Sequence, residues 1–223
     1  MGYIGQNTNN TNFPVDMVEQ TDLLNDNNQH RKLLATIDAA GVANPTFSSS
    51  VITDDYDYYD VFVYDIKPTS NTYNYLNYMW VRFQQGGETV VTTSYMSRGY
   101  HLGLRRGDTW ESAAWGYDSQ YQIYLTHPNQ EVALAVDTQA QFHAWYRFYN
   151  LRSTTTYKGV RELDAQYWSH DNNYGMPAYY HPFGFFDDAT SSSYDTKVDG
   201  LVFGIGYGSP FTQGTFKLYG WKK

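Results

Sequence analysis

Between Tyr56 and Phe83 the chain reads YDYYDVFVYDIKPTSNTYNYLNYMWVRF, and this stretch limits the fold more than any other. Two segments, Tyr59–Ile66 and Tyr75–Phe83, are dense in the aromatic and β-branched residues that suit a pleated, half-buried surface. Lys67, Pro68, Thr69, Ser70 and Asn71 separate them, because proline cannot donate to a ladder and Ser and Asn favour turns. Alternation puts Tyr75, Asn77, Met79, Val81 and Phe83 on one face of the second segment, and Leu76, Tyr78, Trp80 and Arg82 on the other. Both faces carry large rings. One is expected to meet the core; the other meets a subunit, a ligand or solvent.

A second aromatic strand, FHAWYRFY at Phe142–Tyr149, repeats the pattern. Phe142, Ala144, Tyr146 and Phe148 alternate with His143, Trp145, Arg147 and Tyr149. Further strands are expected at Leu33–Ile37, Phe47–Ile52, Thr89–Met96, Tyr121–Thr126, Val132–Val136, Thr154–Val160, Val198–Ile205 and Gly214–Trp221. Two segments read differently. Arg98–Asp118, with Gly99, Gly103, Gly107 and Gly116 among its rings, reads as a long loop or two short hairpin arms. Asp164–Phe186 reads as irregular. Closely spaced strands and no convincing helical period predict an all-β, antiparallel β-sandwich, jelly-roll-like, as one domain over 31–223. A chain of 223 residues buries roughly 70% of its unfolded surface, enough for a core without staples.

Residues 1–30 differ from the rest. They are Asn-rich, with four acids and no Lys or Arg, yet dotted with apolar residues: Tyr3, Ile4, Phe13, Val15, Met17, Leu23 and Leu24. A disordered tail has fewer such anchors. The segment reads as an extended N-terminal arm that docks on a neighbour, with a flexible leader as the alternative.

The formal charge of −8 argues against nucleic acid, whose binding depends on basic patches. Arg98–Arg106, with three arginines and one histidine, is the local exception and reads as a solvated turn or a salt-bridge donor. With no cysteine there is no disulfide framework. No run of about 18 apolar residues predicts a membrane helix, and MGYIGQNTNN lacks the pattern of a secretory signal, so export by that route is not expected. Aromatic residues make up 18% of the chain, including 23 tyrosines. Tyrosine joins a large apolar body to a hydroxyl that tolerates water, a combination suited to interfaces and sugar-binding faces, although β-sheets also use it freely.

No catalytic pattern is expected. Glu88, Glu111, Glu131 and Glu162 are acids without the paired spacing a glycoside hydrolase needs. Asp54, Asp55, Asp57 and Asp60 offer oxygen to a hard cation but lack the EF-hand glycine, so a solvated strand start is favoured, and Asp187 and Asp188 stand alike. His143, His170 and His181 show no zinc spacing, and no G-x-S-x-G elbow occurs. Neither cofactor nor metal is predicted.

The run Tyr56-Asp57-Tyr58-Tyr59-Asp60-Val61-Phe62-Val63-Tyr64-Asp65-Ile66-Lys67-Pro68 resembles bacteriophage virion proteins of the tail-fibre, appendage or capsid-decoration kind, in which a Y-D-x-Y opening precedes an apolar strand and I-[RK]-P. Val198–Phe203 followed by Gly214–Gly220 is similar to their closing strands, and Gly2-Tyr3-Ile4-Gly5 to leaders of the marine-phage members. Arg98–Tyr117 and Asp164–Phe186 find no counterpart. The resemblance implies a non-enzymatic β-sandwich of the virion, docked on capsid or tail proteins and oligomeric, with a trimer expected. Trp80, Arg82, Trp145 and Arg147 are the expected subunit interface, since Trp and Arg are enriched there. The alternative is a receptor- or carbohydrate-binding module in which Trp110, Trp115, Trp168, Tyr174, Tyr179 and Tyr180 stack on host-surface glycans.

Overall fold

The computed structural model describes residues 31–69, 78–91, 95–105, 109–126, 141–168, 177–180, 182–186, 196–208 and 210–222. The arm residues 1–30, the expected strand at Val132–Val136 and the start of the segment Tyr75–Phe83 lie outside them.

The protein is an antiparallel β-sandwich of two unequal sheets. The larger sheet comprises β1 (Arg31–Asp38), β3 (Tyr58–Pro68), β6 (Tyr95–Arg105), β7 (Thr109–Gln120), β9 (Gln141–Tyr149), β10 (Lys158–Trp168), β11 (Pro177–Tyr180), β12 (Phe183–Phe186) and β14 (Phe211–Trp221). The smaller comprises β2 (Thr46–Phe47), β4 (Met79–Gln85), β5 (Glu88–Thr89), β8 (Ile123–Tyr124) and β13 (Gly200–Ile205). In the larger sheet β14 lies between β1 and β3, and β9 and β10 follow. β11 and β12 then lie end to end between β10 and β6 as one broken strand, with β7 beyond β6. Pro182 marks the break, and its carbonyl accepts the Glu162 N–H at 3.0 Å.

Alternation fills the space between the sheets. Val61 and Val63 of β3, Phe142, Tyr146 and Phe148 of β9, and Phe216 and Leu218 of β14 face Met79, Val81 and Phe83 of β4 and Leu201, Phe203 and Ile205 of β13, all buried. Phe148 meets Phe203 edge-on at 6.1 Å, and Phe203 lies 5.0 Å from Phe216. Such offset and edge contacts are the preferred geometry of packed rings. Tyr95 ties the layers. Its hydroxyl accepts from the Phe83 N–H at 2.9 Å and donates to the Val90 carbonyl at 3.1 Å, so a side chain of the larger sheet completes the ladder of a hairpin in the smaller.

The expected strands at β1, β3, β9, β13 and β14 form, while other expectations need correction: Thr89–Met96 is divided between the ends of β5 and β6, and of Thr154–Val160 only Lys158–Val160 is strand. Arg98–Asp118 is one long hairpin, β6–β7, paired from Tyr95 to Gln120. Gly99, Gly103 and Gly116 are strand residues, and Gly107 lies outside the described residues; a Cβ on Gly116 would sit 2.7 Å from the Arg98 side chain, its register partner. Glycine there admits a neighbour that lies flat across it. The described residues of Asp164–Phe186 are likewise almost all strand, completing β10 and supplying β11 and β12. Phe47–Ile52 shrinks to β2, because the Val51 and Ile52 N–H groups turn back to the Ser48 carbonyl. Tyr121–Thr126 shrinks to β8, with Ile123 and Leu125 buried but Tyr121 exposed.

Candidate functional site: the outer face of the larger sheet

A sandwich ordinarily wets its outer faces. The outward residues of β3, β9 and β14 do not follow that rule. Register sets Asp60 beside both Arg147 and Tyr219, Phe62 beside Trp145, and Tyr58 beside both Tyr149 and Trp221. The Arg147 guanidinium meets the Asp60 carboxylate through two hydrogen bonds, Nε to Oδ1 at 2.7 Å and Nη2 to Oδ2 at 2.8 Å. Trp221 Nε1 donates to Oδ2 at 2.7 Å. Asp60 is 0% exposed. A carboxylate outside the core has been taken wholly out of water, a state that needs a bidentate partner and further donors to hold. These hydrogen bonds raise the Arg147 pKa above its ordinary value, against the opposing effect of burial.

Rings and cations continue on either side. Arg147 sits 4.3 Å above the Tyr58 ring and Arg31 sits 4.1 Å above Tyr219 and 4.8 Å above Phe62. Phe62 stacks on Trp145 at 4.9 Å. A cation over an aromatic face gains about 0.5–2 kcal/mol, more as water is removed. Burial pushes the neighbouring Tyr64 hydroxyl up to about 12. His143 reaches Asp65 at 3.5 Å and meets Tyr64 edge-on. Together these residues make a continuous platform of half-buried rings.

The expected interface residues divide between two surfaces. Trp145 and Arg147 belong to this platform. Trp80 and Arg82 lie on the opposite outer face, that of the smaller sheet, where Trp80 covers Gly204 and Arg82 lies 4.5 Å above the Trp80 ring. Arg82 is held by the Tyr121 carbonyl and by Gln122 Oε1. Trp80 is only 6% exposed, covered by its own chain.

The loop aromatics are strand residues. Trp110 and Trp115 lie on β7, Trp168 on β10, and Tyr179 and Tyr180 on β11. Tyr179 is in register with both Gln166 and Leu102, and Tyr180 with His101. The pairing therefore gathers these positions on the β10–β11–β6–β7 wing of the larger sheet. Tyr174 lies outside the described residues, as do Tyr3, Ile4, Phe13, Val15, Met17, Leu23 and Leu24 of the arm.

The acidic run does not converge. Asp54 pairs with Arg152 at 3.0 Å and Lys197 at 2.9 Å, and these hydrogen bonds hold its carboxyl at about 2. Asp60 turns to Arg147. Among the described residues, no three His, Asp or Glu side chains gather as metal ligands would. The sequence singled out Arg147 as an interface residue and set Asp60 among acids at a strand start, and it did not point to the third partner, Trp221. The signal for it was the alternation of Lys217, Tyr219 and Trp221 along the last strand. No protein-family model matches the chain, and no curated protein matches it.

Proposed function

We propose that the chain is a non-enzymatic assembly protein of a bacteriophage particle, of the tail-fibre, appendage or capsid-decoration kind. In this reading it docks on other virion proteins through residues 1–30 and displays the sandwich as a homo-oligomer. One observation carries the assembly part: the outer face of the larger sheet is a platform of half-buried rings and guanidinium groups where a free-standing sandwich would be wet. The virion placement rests on the resemblance of the Tyr56–Pro68 strand and the closing strands.

The positions of the two tryptophans favour one side of the sandwich as the interface. Trp80 and Trp145 lie on opposite sides of the sandwich, and opposite faces joined head to tail tend to make an open stack in place of a closed ring. A trimer therefore uses the Trp145 side around its axis, and Trp80 and Arg82 serve the fold. Light scattering of the purified chain at micromolar concentration tests this. A trimer that Trp145→Ala dissociates supports the reading; a monomer, or a trimer indifferent to that change, sinks it.

A second reading, adsorption to host-surface glycans, is favoured by the gathering of Trp110, Trp115, Trp168, Tyr179 and Tyr180 on one wing. Loss of glycan-array binding on Trp115→Ala would support it.

A further inference from the structure

Beside the platform, where β9 turns into β10, a cleft of about 660 Å³ opens. Its walls follow from register. Tyr149 opposes Gly159 across β9 and β10, and Arg161 opposes Phe183 across β10 and β12, so Tyr149, Arg161 and Phe183 surround a floor with no side chain at Gly159. The break between β11 and β12 brings Pro182 to one rim. Tyr157, from the β9–β10 turn, forms the opposite rim.

The turn carrying Tyr157 is held in place. Asn150 has φ 58°, a left-handed conformation that is uncommon for residues other than glycine. Its Nδ2 donates to the Tyr157 carbonyl at 3.2 Å, and its own carbonyl accepts the Ser153 N–H at 3.0 Å. The Ser153 hydroxyl accepts from the N–H groups of Thr155 and Thr156. Backbone kept in a sparsely populated region by its surroundings marks a position that is over-determined. Here the effect is a preformed rim.

Two of the rings are about half exposed: Tyr157 is 52% exposed and Phe183 43%. Fully apolar ligands seek enclosed cavities that strip their water. This cleft combines half-exposed rings with the Asn150 and Arg161 side chains. That set suits a ligand with an apolar face and a rim of hydroxyls that stay partly hydrated, which is the chemistry of a pyranose ring. The volume lies within the ~300–1,000 Å³ usual for small-ligand sites.

We propose that this cleft is a saccharide-binding site, with Tyr157 and Phe183 stacking on sugar rings and Arg161 and Asn150 bonding hydroxyls. It shares its ligand class with the adsorption reading above but places the ligand on different residues. The test uses the full chain on an array of immobilised oligosaccharides ending in hexose, N-acetylhexosamine, deoxyhexose or sialic acid. The strongest binder is then titrated calorimetrically against Tyr157→Ala, Phe183→Ala, Arg161→Ala and, as the wing control, Trp115→Ala. The expected result is affinity weakened about tenfold or more by Tyr157→Ala and Phe183→Ala, with the variants still folded because both rings are about half exposed, and no effect of Trp115→Ala. Binding that survives the cleft variants but falls with Trp115→Ala overturns the cleft and leaves the adsorption reading standing. An array without binding overturns both.

Discussion

Asp60 and Arg147 stand in register on neighbouring strands and share two near-parallel hydrogen bonds on the outside of the larger sheet. The pair costs desolvation on both sides, and Trp221 and the Tyr58 ring offset part of it. Its energetics are therefore asymmetric. Removing one partner strands a buried charge, whereas removing both removes the burden as well.

Arg147→Met should accordingly destabilise the fold by about 3–5 kcal/mol, while Asp60→Leu with Arg147→Met together should cost much less. Urea unfolding of the two variants checks this. Equal losses would mean that the charges are better hydrated than the geometry implies.

Trp80 fills the space above a glycine: a Cβ on Gly204 would stand 2.1 Å from its ring. Trp80→Ala should cost about 3–5 kcal/mol, and Gly204→Ala about 1–3 kcal/mol by pushing the ring aside. Both are expected to leave the oligomer unchanged, in contrast to Trp145→Ala. Unfolding curves and light scattering on the same samples decide between them.

Tyr95→Phe keeps the ring and deletes the hydroxyl that receives the Phe83 N–H. Leaving that buried donor unpaired should cost about 1–3 kcal/mol. Amide exchange at Phe83 and Val90 should quicken in the variant, and unaltered protection there would count against the cross-layer tie.

Asp54 provides a test by pH. Its carboxyl sits at about 2 when folded, against 3.8 as the unperturbed value. A depressed folded pKa stabilises above the unfolded value and loses that stabilisation as pH falls through the folded one. Wild type should therefore exceed Asp54→Asn by a constant margin above about pH 5, and the margin should vanish between about pH 4 and 2. The side chain is more than half exposed, so the margin is small and salt should shrink it further.

Much of the fold could be read from alternation. In β9 every second residue from Phe142 to Phe148 is buried, as its spacing required, and β3 and β14 were largely legible in the same way, whereas β13 is buried along its whole length. The β6–β7 hairpin was not, because its glycines look like turn residues until Arg98 is seen lying across Gly116. Local chemistry alone does not distinguish a glycine that turns the chain from one that admits a neighbour. The platform was half legible. Trp145 and Arg147 stood out by type, but their companions Arg31, Asp60 and Trp221 come from strands far apart in sequence, and only pairing unites them. The cleft left no mark in the sequence, since it depends on a turn, a glycine floor and a strand break meeting at one place.

The position of β14 bears on the timing of synthesis. β14 lies between β1 and β3, so the earliest described strand has no ladder until Phe211–Trp221 has left the ribosome. Asp60 likewise waits for the indole of Trp221. Until translation reaches that point, β1 and β3 each expose an unpaired edge, the kind of surface on which nascent chains associate wrongly. Pairing between such distant segments also carries the loop-closure cost that slows folding. The sandwich therefore cannot close until β14 is available to pair with both β1 and β3, and up to that point both edges stay open.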